Sequence, residues 1–131
     1  RAGVVATLLP GTAFSLREPY ARAREMIGQG CAVALATDFN PGSCFTYSIP
    51  LILSLATLQM KLTPEEAVTA MTLNGAAALG RAGEVGSLDV GKAGDVLILG
   101  YPSYLFLPYH LGINIVEKVV KRGRLVVERK V

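Results

Sequence analysis

A single histidine, His110, serves all 131 residues, and tryptophan is absent. One imidazole excludes a two-histidine metal site, an HxH pair and a Ser-His-Asp triad with a second histidine to spare. Any metal centre drawing on these residues is therefore expected to be incomplete within them. Cysteine is scarce too: Cys31 and Cys44 show no C-x-x-C spacing, and the composition is not that of a disulfide scaffold. A reduced, cytoplasmic setting is expected, with both thiols as buried filler, since neither has a base or cation beside it in sequence. Pro, Gly, Ser, Gln or a charge interrupts every apolar stretch well short of the roughly 18 residues of a membrane span, so no membrane partner is expected. The glycine-rich stretch from Gly83 to Gly94 lacks both G-x-G-x-x-G and a Walker lysine, which leaves phosphate cradling unsupported.

What is present is apolar and mildly basic. The hydrophobic share of 51% sits at the upper edge of the globular range of about 45–50%, which points to apolar surface kept for a partner. Thirteen basic against ten acidic residues give a net charge of +3. The basic residues gather only from Lys118 to Lys130, interleaved with Val and Leu, a pattern that reads as a strand pair with one wet face rather than a nucleic-acid patch. The length suits one domain. Arg1-Ala2-Gly3 leads straight into an apolar run without an initiating Met, so the chain reads as cut from something longer.

Along the chain, Val4 to Leu9 reads as a parallel strand buried on both faces and stopped by Pro10-Gly11. Tyr20, Ala23 and Ile27 recur at helical spacing between Glu18-Pro19 and Gly28, and Cys31 to Ala36 makes a second strand. Strand, helix, strand spells a βαβ unit. A mostly buried helix follows in Thr46 to Met60, starting around Pro50. The next starts at Thr63-Pro64-Glu65-Glu66, with Thr63 as N-cap and Glu66 closing a capping box, and stops by Gly80. Beyond Arg81 the texture changes to a strand at Asp95 to Leu99, a Pro- and aromatic-rich connection from Tyr101 to His110, and a hairpin turning at Arg122-Gly123.

Asp38 is the sharpest chemical feature, because it follows directly on a buried parallel strand, where α/β barrels place their active sites. A carboxylate there can bind a metal and pass a proton from water to a leaving group. It can equally cap the turn at Pro41-Gly42-Ser43, and the residues alone leave both roles open. Asn40, Gly42 and Ser43 offer an amide, an exposed backbone N–H and a hydroxyl, which suit an anionic or carbonyl-bearing small ligand and are also turn formers. His110 reads as structural, and Tyr101, Tyr104 and Phe106 as packing aromatics.

Gly86-Ser87-Leu88-Asp89-Val90-Gly91-Lys92-Ala93-Gly94-Asp95 resembles the G-S-L-x-x-G-x-x-A-D pattern of the amidohydrolase superfamily, departing from it at Gly94. Asn74-Gly75-Ala76-Ala77-Ala78-Leu79-Gly80 resembles its N-x-A-x-A-L-G helix end. Within the superfamily, Ala6-Thr7-Leu8-Leu9-Pro10, Thr37 to Ser43 and Tyr109 to Asn114 resemble the imidazolonepropionases. The resemblance runs along essentially the whole chain and covers about the last third of such an enzyme. It implies an α/β fold: the last βα units of a (β/α)₈ TIM barrel in residues 1–80, and strands of a composite β-sandwich in 81–131. It also implies hydrolysis of 4-imidazolone-5-propanoate to N-formimidoyl-L-glutamate by metal-activated water, in a full-length enzyme that is commonly a homodimer. Carried over, Asp38 becomes the metal ligand, zinc or iron, and proton shuttle. Asn40 and Gly42 become contacts to the open-chain product and Ser43 to the imidazolone, with the remaining ligands outside these residues. Another cyclic-amide hydrolase or nucleobase deaminase of the superfamily, or an inactive structural fragment, are the competing readings.

Overall fold

The computed structural model describes residues 3–130. Its first strand, β1 (Ala6–Leu8), pairs in parallel with β2 (Val33–Leu35), with Ala6 opposite Val33 and Leu8 opposite Leu35. The ladder extends past both strands through Ala6 N–H to the Ala32 carbonyl and Ala36 N–H to the Leu8 carbonyl. Between them lie α1 (Pro10–Leu16) and α2 (Ala23–Gly28). The strand stops before Pro10-Gly11 as expected, and Pro10 itself opens a helix, the position where its fixed φ and missing N–H cost nothing. The helix expected from Glu18 begins only at Ala23, consistent with Pro19 disfavouring helical geometry at Glu18.

β2 is buried throughout, whereas β1 is not buried on both faces as expected: Thr7 is exposed, and among the described residues β1 has β2 as its one strand neighbour. Cys31 is likewise exposed rather than filler, since it lies in the turn before β2, while Cys44 is buried as expected.

Three further helices complete this layer. The Ser48 hydroxyl caps α3 (Ile49–Met60), which buries Ile52, Leu53 and Ala56. The capping box predicted at Thr63 is formed at α4 (Pro64–Met71), with Thr63 Oγ1 and the Glu66 carboxylate satisfying each other's backbone N–H. The single helix expected to run on to Ala78 is broken at Thr72, where ψ reaches −82° and the Thr72 hydroxyl turns back to the Val68 carbonyl. A separate α5 (Leu73–Ala78) leaves at a new angle, which lets Asn74 donate to the Val33 carbonyl of β2. Leu8, Val33, Leu35, Ile52, Leu53, Met60, Leu62, Ala67 and Ala70 form one continuous core between this sheet and its helices.

The remainder is an antiparallel sheet in the order β3 (Val96–Leu99), β4 (Val116–Lys121), β5 (Arg124–Glu128), with the short α6 (Phe106–Tyr109) in the Pro- and aromatic-rich connection. Arg122 and Gly123 both take positive φ, 48° and 75°, the geometry of a two-residue hairpin turn that matches strand twist. The Asp95 carboxylate receives the Arg122 N–H and the Lys121 ammonium, and the Gly94 carbonyl receives the Gly123 N–H. A side chain at Gly94 would put Cβ 3.3 Å from the Gly123 nitrogen, a physical reason for glycine where the family pattern has Ala. The one wet face expected for this hairpin is not seen: β5 is exposed along its whole length, Leu125, Val126 and Val127 included, because among the described residues it is held through its pairing with β4 at one edge. Among the described residues no helix is long and apolar enough to cross a membrane.

Candidate functional site

Parallel pairing at the ends of β1 and β2 brings two loops side by side. Leu8 faces Leu35, so the chain leaving β1 into α1 runs beside the chain leaving β2 through Ala36, Thr37 and Asp38. Asp38 is exposed and adopts φ 52°, a left-handed conformation that Asp tolerates better than most residues. Its Oδ2 accepts a hydrogen bond from Thr12 Oγ1 of α1 at 2.8 Å, and no hydrogen bond reaches Oδ1 among the described residues. The carboxylate therefore caps no helix N–H and no turn; the cap reading finds no bond to support it.

Asn40 organises the turn that follows. Its Oδ1 accepts the backbone N–H of Gly42 (2.9 Å) and of Ser43 (2.8 Å), while Nδ2 donates to the Asp38 carbonyl (2.6 Å) and to Ser43 Oγ (2.9 Å). Asn40 N–H closes the turn on the Cys44 carbonyl. The Gly42 N–H expected to stand exposed is thus taken up by Asn40, since an Asn side chain mimics the backbone of a turn. Asp38, Asn40, Gly42 and Ser43 stand together in one loop, with Asn40 and Ser43 half-buried and Asp38 and Gly42 exposed.

Two residues that sequence reasoning passed over hold this loop. Gly11 is buried, and a Cβ on it would lie 2.7 Å from Cys44 Sγ and 3.0 Å from Ile52 Cδ1, so only glycine lets α1 start this close to the loop and to α3. Thr12 then reaches Asp38. Their signal was available: Gly11 is third after β1 as Asp38 is third after β2, with Thr12 one further along, and parallel strands align such positions.

The only histidine is elsewhere. His110 ends α6 and packs edge-on against Tyr101 and Phe106, with ring centroids 4.6 and 5.3 Å apart, the structural role expected of it. Tyr101 also packs on Phe106, whereas Tyr104 is exposed and donates its hydroxyl to Glu65. Among the described residues no three His, Cys, Asp or Glu side chains group where they could hold a metal ion. Phe39 packs tilted against Phe45 and edge-on against Tyr47, all three exposed.

Residues 1–126 match the model of the amidohydrolase family. The chain is 69% identical over 125 residues to imidazolonepropionase of Parabacteroides distasonis, and 64% identical over 126 residues to that of Clostridium tetani. These matches take in 95% and 96% of the chain, which spans about 30% of the length of each relative. Among solved structures, an adenosine deaminase from Xanthomonas campestris with bound zinc superposes with a TM-score of 0.82 at 22% identity, over 96% of this chain and 32% of that one. E. coli guanine deaminase gives 0.78 at 23%, over 98% and 35%. Those likenesses carry the fold: the two parallel strands, their helices and the antiparallel layer are those of part of a TIM-barrel amidohydrolase. Sequence and architecture agree that the chain belongs to the amidohydrolase family.

Proposed function

We propose that the whole protein to which these residues contribute hydrolyses 4-imidazolone-5-propanoate to N-formimidoyl-L-glutamate in histidine breakdown. The observation that carries the reading is the Asp38 carboxylate just past the end of β2, with one oxygen held by Thr12 and the other without a hydrogen bond among the described residues. The name borne by relatives at 69% and 64% identity supplies the substrate. Residues 1–80 then act as the last βα units of the barrel and 81–131 as part of the β-sandwich.

Asp38 fits a metal as a single ligand: it is exposed, a hard oxygen donor, and partnered on one side only. An ion of zinc or iron bound there lowers the pKa of water and polarises a carbonyl. Asp38 would accept the proton that water loses as it adds to the ring carbonyl, and return it to the ring nitrogen as the C–N bond breaks. Ser43 and Gly42, at the outer turn of the same loop, would contact the imidazolone and the open-chain product, and Asn40 would hold both in place while contacting the product. The remaining ligands and the other half of a homodimer lie outside these residues.

The test measures hydrolysis and bound metal in the whole protein, in its Asp38→Ala variant and in the isolated chain. Asp38→Ala is expected to lose bound metal and about 10²-fold or more in kcat. The isolated chain should show no hydrolysis. Wild-type turnover in the variant would remove Asp38 from the mechanism, and release of ammonia from a nucleobase in place of ring opening would favour a deaminase.

A further inference from the structure

We propose that Thr12 is a positioning residue for Asp38, presenting one carboxylate oxygen to the metal by occupying the other; the inference rests on the reading of Asp38 as a ligand. Hydroxyls in helices usually turn back on the carbonyl four residues earlier. Ser54 and Thr72 of this chain do so, bonding the carbonyls of Pro50 and Val68 at 2.9 and 2.7 Å. Thr12 does not. The carbonyl four residues back belongs to Leu8, which lies in β1, outside the helix, and accepts the Ala36 N–H across the strand pair. Its proton goes instead to Asp38 Oδ2, 26 residues along the chain, at 2.8 Å.

Two further contacts and a backbone angle keep that bond in one geometry. Gly11 lets the start of α1 press on Cys44 and the Thr37 backbone, Asn40 Nδ2 holds the Asp38 carbonyl at 2.6 Å, and φ at Asp38 is fixed at 52°. A carboxylate tied at the backbone and at Oδ2 has a single direction left for Oδ1. A hydrogen bond from a neutral hydroxyl to a carboxylate is charge-assisted and short, so it selects this rotamer without cancelling the ligand's charge. Partners of this kind, one bond removed from the metal, typically govern affinity and activity by about 10–100-fold.

The test compares Thr12→Val, which keeps the shape and loses the donor, with Thr12→Ser, which keeps the donor, in the whole protein. Zinc affinity is read by chelator competition, alongside kcat, KM and thermal unfolding. Expected for Thr12→Val is zinc affinity weaker by about 10–100-fold and a fall in kcat of similar size, with KM within about twofold and unfolding unchanged. Thr12→Ser should stay within about threefold of wild type in all four. Wild-type zinc affinity and kcat in Thr12→Val overturn the proposal, as does an equal loss in Val and Ser. If Thr12→Val does not fold, Thr12→Ala is read against Ser in the same way, and failure of all three to fold makes Thr12 a packing residue. Asp38→Ala, measured in parallel, separates the two readings. Loss of zinc there with none in Thr12→Val sinks only the role of Thr12, whereas unaltered zinc binding in Asp38→Ala sinks the ligand reading itself.

Discussion

A glycine can matter by what it lets approach. Gly11 is in a helix, where Ala would ordinarily be preferred by about 1 kcal/mol. Here the added methyl would sit 2.7 Å from Cys44 Sγ and 3.0 Å from Ile52 Cδ1, both on buried residues that cannot swing away. Overpacking of this kind costs about 1–3 kcal/mol. Gly11→Ala should therefore lower the unfolding free energy of the whole protein by that amount in urea titration, and adding Cys44→Ala should recover part of it. Unchanged or raised stability would show that α1 can back away from the loop. Asp38 illustrates the limit of reading single residues: the local sequence allowed a cap or a ligand, and the absence of any backbone N–H on its carboxylate is a tertiary fact.

Elements report how local and long-range forces divide. The start of α4 was legible because a capping box closes within four residues. The break at Thr72 was not, because the pattern of Ala and Leu runs through it and the bend is held by Asn74 reaching β2. α4 is also tied to α2, where Arg24 grips Glu66 with two bonds at 2.9 and 2.6 Å. That hydrogen-bonded guanidinium holds the Glu66 carboxyl below its usual range. A carboxyl so depressed adds stability that is complete above the unfolded value of about 4.3 and is lost as pH falls through the lower, folded value. The stability gap between wild type and Arg24→Met should thus be widest above about pH 5 and shrink towards pH 3. A gap independent of pH in denaturant melts would assign the contact to packing alone.

At the scale of the molecule, the two layers differ in how they are covered. β2 lies under α4 and α5, whereas Leu97 of β3 and Leu125, Val126 and Val127 of β5 are exposed, as are Phe45 and Tyr47 beside the Asp38 loop. Apolar surface of this extent calls for a partner, and exposed strand edges invite pairing. The 131-residue chain expressed alone should accordingly sediment as species larger than one chain at micromolar concentration and enhance the fluorescence of a hydrophobic dye. A single-chain species with no dye response would contradict this.

By itself the sequence determined whatever closes over a few residues: the capping box at Thr63, the hairpin turn at Arg122-Gly123, the two apolar strands, and the motifs that mark the family. Only tertiary structure decided that Thr12 meets Asp38, that Asn40 consumes the Gly42 N–H, that α4 and α5 part at Thr72 and that β5 lies bare. The reason is physical: propensity and capping act along the chain, whereas strand register sets which distant residues share a loop, and burial depends on what stands opposite.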